Sequence, residues 1–567
     1  MSDLREWLRA RLDAALAEEG FVGADAGLSP ASDARFGDYQ SNAAMTLARA
    51  ARANPREIAA RLAARVDASG LESPPEIAGP GFLNFRVARR TLEEFLTRMD
   101  RDDRLGLAPA SSPRTVLLDF SSPNVAKPMH VGHIRSTILG DCLARVARFV
   151  GHRVITDNHI GDWGTQFGKV IYGYKHLLDP QALEHDPIAE LVRLYREVNA
   201  RETEDPAIAA AARAELVKLQ QGDPENLGIW RRCVELSWKE FEKLYRLLDI
   251  SFDERLGESA YNHALAPLCE RMEKSGLARI SDGALCVFFP EIAALADKPA
   301  IIRKADGGFL YATTDLATLE YRMARWNPDA IWYVVGAPQQ LHFQQVFAAA
   351  KKLGISCELA HIAFGSILGE DRKIMKTRSG ENIGLAEVLE EARVRARALV
   401  DDKNPDLPEE ERASIAHQLG IGAVKYAELS QNRMTDYVFS WDKLLAFHGN
   451  TAPYLQNAAV RIGSIFRKAG DTRAGEISLA EPPERALGMH LARYPETIPL
   501  VLEDFRPNLL ANYLYQLAEE FHAFYEACPV LKAGDPVRGS RLALCALTHR
   551  VLTHGLGLMG IQCPERM

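Results

Sequence analysis

The chain is predicted to be a mixed α/β protein built around a parallel sheet, with an α+β region before that sheet and a helical region after it. Two observations support this prediction. Residues 115–156 contain a strand, a loop, a helix and a second strand in succession, which is how a nucleotide-binding parallel sheet begins. After about residue 412 the sequence is helical almost to its end.

The length and composition are those of a multidomain globular protein. The 567 residues predict three or four domains at roughly 150 residues each. A content of 47% hydrophobic and 25% charged residues excludes collagen-like, disordered and coiled-coil classes. No window approaches the roughly 18 apolar residues of a membrane span, and the charged N-terminus predicts an amphipathic helix and not a secretory signal. We therefore expect a cytoplasmic protein with no membrane partner.

Cysteine usage and net charge exclude two further classes of site. The eight cysteines are scattered, with no C-x-x-C pair, so neither a disulfide framework nor a structural zinc site is expected. The net charge of −8 lacks the basic excess that is typical of nucleic-acid-binding proteins. Any interaction with RNA must therefore be argued from motifs.

The elements can be predicted in chain order. The first hundred residues alternate amphipathic helices with a polar turn and a strand at 82–87, and residues 101–114 form a linker rich in Pro and Ala. TVLLDF at 115–120 predicts a buried strand, and RVIT at 153–156 predicts the next one. Between them, apolar residues recur at helical spacing, and Gly151 stands where that helix would end.

The second half of the sheet is predicted further along the chain. Residues 180–250 have a charged, helical pattern. Strand-like runs then return between 285 and 335 (LCVFF, AIIR, FLYA and AIWYVV), with a helix near 314–325 among them. The simplest interpretation is that all these runs complete the parallel sheet. A charged turn at 401–412 precedes the helical tail, which has loops near 448–453 and 470–483.

The motif that most favours a chemical function is His130-Val131-Gly132-His133, which follows the first strand and begins the helix. A helix N-terminus offers unpaired N–H groups and partial positive charge, which suits a triphosphate. Two imidazoles one turn apart can donate to phosphate oxygens, and Gly132 would let a flat adenine approach the backbone. Such a short motif can also be a pair of capping or packing histidines, but its place after a strand favours ATP binding.

A second, basic segment strengthens this interpretation. KIMKTRSG, at 373–380, follows the apolar run HIAFGSIL. By itself it is typical of a solvated basic turn. Together with the histidines, its basic, hydroxyl and glycine residues favour a loop that closes over phosphates and stabilises charge on a departing pyrophosphate.

Several long stretches carry a family resemblance. SSPNVAKPMHVGHIRSTILGD resembles the HIGH-motif region of class I aminoacyl-tRNA synthetases, and specifically of arginyl-tRNA synthetases. GDWGTQFG, YATTDLAT and VGAPQQLHF resemble the catalytic core of that family, and MKTRSG resembles its variant KMSKS loop. FGDYQSN resembles its N-terminal domain, and GNTAPYLQNAAVRIGSIFRKA and GLGLMGIQCPERM resemble its C-terminal helical domain. The likeness covers nearly the whole chain.

The resemblance implies a domain organisation. An N-terminal domain that contacts the tRNA elbow would span residues 1–110, and a Rossmann-type class I catalytic domain would span 111–385, with an insertion at about 180–285. A connecting helical region at 386–447 would precede an all-α anticodon-binding domain at 448–567.

The resemblance also implies catalytic and ATP-binding residues, with one departure from the class signature. KMSKS aligns with residues 374–378, so Thr377 replaces the second lysine. Arginyl enzymes commonly have this change, and a lysine just before the histidine motif, here Lys127, is thought to compensate. The implied catalytic residues are Lys127, His130, His133, Lys376 and Arg378, and the implied ATP-binding residues are His130, Gly132, His133, Met375, Lys376 and Thr377.

An arginine pocket is implied as well. The resemblance places Glu258 and Asp315 around the guanidinium and Tyr311 along its side, with Asn124 and Gln339 at the amino acid end of the substrate. Paired carboxylates suit this substrate because a guanidinium presents five donors in a planar fork, whereas lysine offers only a point charge.

For tRNA, the resemblance implies two regions of contact. Tyr39 and Asn42 would contact the elbow, although both also fit a purely structural turn. Tyr525 and the C-terminal Met567 would pack against anticodon bases, although Tyr525 also fits a helical core. Recognition there would depend on shape and unstacked bases rather than on a basic surface.

The implied activity is that of an arginine–tRNA ligase, a monomer that uses ATP to convert L-arginine to arginyl-adenylate and then charges the 3′-terminal adenosine of tRNA(Arg). Mg²⁺ would arrive with ATP, without a dedicated protein site. Three alternatives remain: a class I synthetase for another amino acid, a nucleotidyltransferase with the same histidine site, and a non-catalytic tRNA-binding paralogue. The length and the helical tail disfavour the second, and the retained motifs disfavour the third.

Overall fold

The computed structural model describes residues 3–369, 372–373, 383–470 and 474–567, which divide into two units. One unit combines the two ends of the chain, Met1–Ser111 with Ala446–Met567. The other is the continuous segment Ser112–Leu445. No described helix has the length and apolar character that crossing a bilayer requires.

The N-terminal part of the first unit is an α+β arrangement with an antiparallel sheet of order β1-β2-β4-β3. Its first helix follows Asp3, whose side chain caps the helix by accepting from the Glu6 N–H, and it buries a leucine stripe. The elements are α1 (Leu4–Glu18), β1 (Leu28–Pro30), β2 (Tyr39–Ser41), α2 (Ala43–Ala51), α3 (Pro55–Arg65), β3 (Glu76–Ala78), β4 (Phe82–Phe85) and α4 (Arg89–Arg101).

The second unit contains the predicted parallel sheet, in the order β11-β10-β5-β6, and the Rossmann-type prediction is confirmed. As predicted, Gly151 ends the helix between β5 and β6, with a φ of 111° that favours glycine. The elements are β5 (Thr115–Asp119), α5 (Gly132–Val150), β6 (Arg153–Asp157), α6 (Gln166–Leu177), α7 (Pro180–His185), α8 (Pro187–Glu204), α9 (Pro206–Gln220), α10 (Pro224–Leu247), α11 (Asn262–Lys274), β7 (Ala278–Ser281), β8 (Ala284–Val287), β9 (Ala300–Arg303), α12 (Tyr311–Trp326), β10 (Ala330–Tyr333), α13 (Gln340–Lys352), β11 (Glu358–His361), β12 (Ile367–Leu368), α14 (Leu385–Lys403), α15 (Glu409–Leu429), β13 (Tyr437–Val438) and α16 (Trp441–Leu444).

The prediction for the strand-like runs between 285 and 335 was wrong in two respects. Only AIWY, as β10, joins the parallel sheet, whereas β7, β8 and β9 form a separate antiparallel sheet. The cause is the turn between β7 and β8, where Asp282 and Gly283 both have positive φ angles, 50° and 80°, as in a tight two-residue hairpin turn. The run FLYA is not a strand either, because α12 begins at Tyr311.

The C-terminal part of the first unit is helical, as predicted, with loops on either side of its first helix. Its elements are α17 (Ala452–Ala469), α18 (Pro482–Ala492), α19 (Tyr494–Glu503), α20 (Asn508–Ala527) and α21 (Val537–Leu558).

Within the first unit, residues from the two chain ends make buried contacts with each other. The Tyr39 side chain is fully buried, and its hydroxyl donates to the Glu496 carboxylate. Beside it, Arg485 donates to both carboxylate oxygens of Asp38, at 3.0 and 2.8 Å. In this structure the Tyr39 ring exposes no surface to RNA, so the structure disfavours its expected contact with tRNA, which stays a prediction. Asn42 is exposed.

Replacing Tyr39 with phenylalanine is expected to destabilise the protein by about 1–3 kcal/mol, because the buried Glu496 carboxyl would lose its hydrogen-bond donor. Urea unfolding of the full chain measures this loss. Tyr525→Phe is the matched control, since that side chain is 37% exposed. Unchanged stability together with weaker tRNA binding would instead assign Tyr39 to tRNA contact.

Candidate active site

The two motif histidines pack against each other at the start of α5, with ring centroids 4.1 Å apart. The Gly132 N–H donates to Nδ1 of His130 at 3.1 Å, and the His130 N–H donates to Nδ1 of His133 at 3.1 Å. Nδ1 of His133 also lies 3.3 Å from the His130 carbonyl, so the role of that nitrogen depends on the tautomer. Where Nδ1 is the acceptor in both rings, the proton of each neutral ring stands on Nε2. In that tautomer each imidazole presents an Nε2–H donor.

Both rings are kept neutral. Burial, reinforced by the charge of Lys127, lowers the pKa of His130. Burial and the neighbouring His130 lower the pKa of His133 to about 4. The first-turn amides of Gly132 and His133 already have local acceptors. The imidazole donors, rather than those two amides, are thus the groups suited to meet phosphate oxygens.

Besides the expected approach of adenine, there is a steric reason for a glycine at position 132. It is exposed, yet a Cβ at this position would lie 2.9 Å from Cε1 of His130. A larger residue would push the imidazole of His130 aside. Lys127 is exposed on the preceding loop, with its Nζ 5.8 Å from the centroid of the Tyr195 ring.

The segment that follows the basic loop runs beside the histidines. The Val131 N–H donates to the Ile383 carbonyl and the Leu385 N–H to the Met129 carbonyl, both at 2.9 Å. The segment before the loop is held by pairing of β12 with β13. The predicted ATP-binding and catalytic residues of the loop lie outside the described residues: Met375, Lys376, Thr377 and Arg378.

The two predicted arginine-binding carboxylates, Glu258 and Asp315, are close enough for the charge of one to shift the pKa of the other. Burial, with smaller contributions from Asp315 and Asp162, raises the pKa of Glu258, and His159 opposes the rise; the resulting pKa is about 7. Asp315 lies one turn after Tyr311 on α12, and Oδ2 of Asp315 is 2.5 Å from Nε2 of His342. The first-turn Tyr311 is 71% exposed, so its ring is available to flank a ligand.

Asn124 and Gln339 lie on segments beside this acidic pair. The side-chain oxygen of Asn124 contacts Gly161, where a Cβ would be only 2.2 Å away. The neighbouring Ile160 carbonyl accepts the N–H of Glu258 at 3.1 Å. Gln339 is exposed at the end of a short 3₁₀ segment, three residues before His342. Asn124 is thus linked to Glu258 through residues 160–161, whereas Gln339 is linked to Asp315 along the chain, through His342.

Three comparisons with known proteins decide the family. Residues 97–441 match the family described as "tRNA synthetases class I (R), catalytic domain", residues 455–567 match the "DALR anticodon binding domain", and residues 3–87 match the "Arginyl tRNA synthetase N terminal domain". The chain is 45% identical over 574 residues to an arginine–tRNA ligase of Chromobacterium violaceum, with 100% of both chains covered. The chain belongs to the arginyl-tRNA synthetase family.

Solved structures agree with this assignment. The chain matches arginyl-tRNA synthetases of Plasmodium falciparum and Thermus thermophilus with TM-scores of 0.86 and 0.85. Each is 28% identical to the chain, and 100% of both chains is covered.

Sequence reasoning missed three polar residues of this arginyl-tRNA synthetase site. Asp162 accepts from the N–H and Oγ of Ser259, at 2.8 and 2.7 Å, and so fixes the residue next to Glu258. His159 is near enough to Glu258 to oppose the rise in its pKa, and His342 forms a hydrogen bond with Asp315. Asp162 and His342 lie inside stretches that carry the family resemblance, GDWGTQFG and VGAPQQLHF, which was the available signal.

The predicted anticodon contacts lie in the C-terminal part of the first unit, Tyr525 on α20 and Met567 in the segment after α21. Tyr525 is 37% exposed, and its ring stacks on Phe521 with centroids 6.0 Å apart. Met567 is partly exposed, and the tail before it is fastened to α17 by bonds from Gln456 to the Gln562 carbonyl and from Arg467 to the Glu565 carbonyl. Both side chains therefore remain candidates for RNA contact.

Proposed function

We propose that this arginyl-tRNA synthetase family member is an arginine–tRNA ligase that charges tRNA(Arg) with L-arginine at the expense of ATP. The observation that carries the proposal is that Asp315 lies near enough to Glu258 to raise its pKa, because two neighbouring carboxylates fit the planar, cationic fork of a guanidinium. A class I site for a neutral amino acid would leave this pair without a counter-ion.

In the first step, an oxygen of the arginine carboxylate attacks the α-phosphorus of ATP, and the bond to the β-phosphate oxygen breaks. The products are arginyl-adenylate and pyrophosphate. Glu258, Asp315 and Tyr311 hold the guanidinium, while Asn124 and Gln339 hold the amino acid end. His130 and His133 donate from Nε2 to phosphate oxygens, and this alignment with charge stabilisation accounts for catalysis without a protein nucleophile. In the same step, Lys127, Lys376 and Arg378 would stabilise phosphate charge, with Met375 and Thr377 contacting ATP.

In the second step, the 2′-hydroxyl of the terminal adenosine of tRNA attacks the acyl carbon, and AMP leaves. We expect tRNA to be required for arginine activation as well, with Tyr525, Met567 and Asn42 among its contacts. That the protein acts as a monomer stays a prediction.

Mg²⁺ would be carried by the triphosphate. Among the described residues, no group of three or more His, Cys, Asp or Glu side chains is arranged to hold a metal ion, whereas triphosphate oxygens are the ligands that Mg²⁺ prefers. When bound, the ion neutralises charge on the departing pyrophosphate. The eight cysteines are free thiols, which supports a reducing, cytoplasmic location.

Arginine-dependent ATP–pyrophosphate exchange, measured with and without tRNA, tests the proposal directly. We expect exchange with L-arginine that depends on tRNA, followed by charging of tRNA(Arg) and no other tRNA. Exchange driven by a different amino acid, or by none, would contradict it.

The raised pKa of Glu258 gives a pH prediction. The carboxyl must be ionised to pair with a guanidinium, and with a pKa of about 7 it is protonated in the free enzyme below neutral pH. The KM for arginine is therefore expected to rise by up to about tenfold per pH unit below 7 and to level off at higher pH. Exchange kinetics from about pH 6 to 8.5 measure this slope, and the KM for ATP serves as the internal reference. Glu258→Gln should remove the slope; a slope that persists would assign it to another group.

A further inference from the structure

A buried ion triad lies beneath the proposed arginine pocket. Arg322 is on α12, two turns after Asp315, and is fully buried. Its Nη2 lies 2.6 Å from Oδ2 of Asp119 and 2.7 Å from Oδ2 of Asp157. These two aspartates end the neighbouring strands β5 and β6. One guanidinium thus fastens α12 to the carboxyl ends of two central strands.

Each aspartate also holds a segment that leads to a pocket residue. Oδ1 of Asp119 accepts from the Ser122 hydroxyl at 3.1 Å, two residues before Asn124. Asp157 forms a backbone bridge with Glu254, and its Oδ1 lies 3.5 Å from the Leu256 N–H, two residues before Glu258. The loop with Asn124 and the segment with Glu258 therefore both meet the triad.

The fourth pocket segment begins at the triad as well. Tyr333 is the last residue of β10, and its ring centroid lies 5.5 Å from the Arg322 guanidinium carbon. The chain continues from Tyr333 through VVGAP to Gln339. All four segments that carry the proposed arginine-binding residues are thus attached to one buried guanidinium or to its two partners.

We propose that Asp119, Arg322 and Asp157 are positioning residues that set the geometry of the arginine pocket, an inference that rests on the proposed function. Well-packed apolar residues can stabilise a core as well as a buried ion pair does. A contribution to stability therefore does not explain why charged residues stand at these three positions. A single nitrogen, Nη2, lies between the two carboxylates, and the rigid guanidinium plane fixes where that nitrogen stands. The guanidinium therefore holds α12, with Tyr311 and Asp315, in register with the Asn124 and Glu258 segments.

Arg322→Lys tests the proposal because lysine keeps the charge but replaces the rigid guanidinium, whose Nη2 meets both aspartates, with a flexible ammonium group. We expect the KM for arginine, and the Kd for L-arginine by calorimetry, to rise about tenfold, or about 1.4 kcal/mol, with the KM for ATP unchanged. Arg541→Lys is the matched control. Arg541 is a buried arginine of the other unit, with its Nε 2.7 Å from Oε1 of Glu484. It should lose comparable stability, measured by urea unfolding, with no change in either KM.

Asp119→Asn keeps the shape of the site and the pair between Arg322 and Asp157, and it decides the question if Arg322→Lys does not fold. A smaller rise in the KM for arginine alone supports the proposal. An unchanged KM for arginine, or parallel changes in both KM values and kcat, overturns it in favour of a purely structural triad. A wild-type chain that binds no L-arginine would overturn the proposed function itself, and the positioning role with it.

Discussion

His133→Ala is expected to slow ATP–pyrophosphate exchange by roughly two to three orders of magnitude, the usual cost of removing one preorganised donor to a charged transition state. The reason is the donor that His133 offers: its pKa of about 4 keeps the ring neutral, and in the tautomer whose Nδ1 accepts the His130 N–H the proton stands on Nε2. The affinity for tRNA should barely change. The rate is measured at saturating arginine and tRNA.

Two further variants sharpen this test. His133→Asn retains a neutral N–H donor and should recover part of the rate, which a role as a cation would not allow. His185→Ala, on the exposed surface of α7, controls for the loss of a histidine and should leave exchange unchanged. An exchange rate in His133→Ala equal to that of the wild type would remove this residue from catalysis.

Asp315→Asn is expected to raise the KM for arginine roughly 10- to 100-fold, since a charge-assisted hydrogen bond contributes about 1.5–3 kcal/mol. The substitution keeps the size of the side chain and can retain a contact with His342. It removes one of the two charges that face the guanidinium. Steady-state exchange with varied arginine measures the effect, and the KM for ATP should remain unchanged.

Glu320→Gln is the matched control for Asp315→Asn. Glu320 lies on the same helix and pairs with Arg271 at 2.6 Å in an exposed ion pair, which contributes little to stability. Its loss should leave both KM values unchanged. If Asp315→Asn behaved like this control, Asp315 would not be a ligand of arginine.

The sequence predicted what local patterns encode. The strand before His130, the helix after it and the glycine that ends this helix each depend on residues within a few positions, and all three predictions are confirmed. The strands at 284–303 could not be assigned to a sheet from their composition, because an apolar run suits a parallel or an antiparallel sheet equally well. The Asp282-Gly283 turn was the local signal that separated the two.

Long-range contacts were beyond sequence reasoning. Arg322 meets Asp119 and Asp157 across 203 and 165 residues of chain, and no periodicity connects such positions. Tyr39 was predicted to face RNA from its place in a resembling motif, and its burial against Glu496, 457 residues away, became visible only in the structure. The joint role of Glu258 and Asp315 in arginine binding was predicted through the resemblance and not from spacing, and it stays a prediction.

The unit assembled from both chain ends has a consequence for synthesis on the ribosome. The N-terminal segment, Met1–Ser111, leaves the ribosome before the whole of Ser112–Leu445 is translated, and its helical counterpart follows later still. At roughly 5–20 residues per second, tens of seconds pass before Asp38 can meet Arg485. During that interval the nascent chain exposes a surface that the finished protein covers, and chaperones that bind nascent polypeptides would encounter it there.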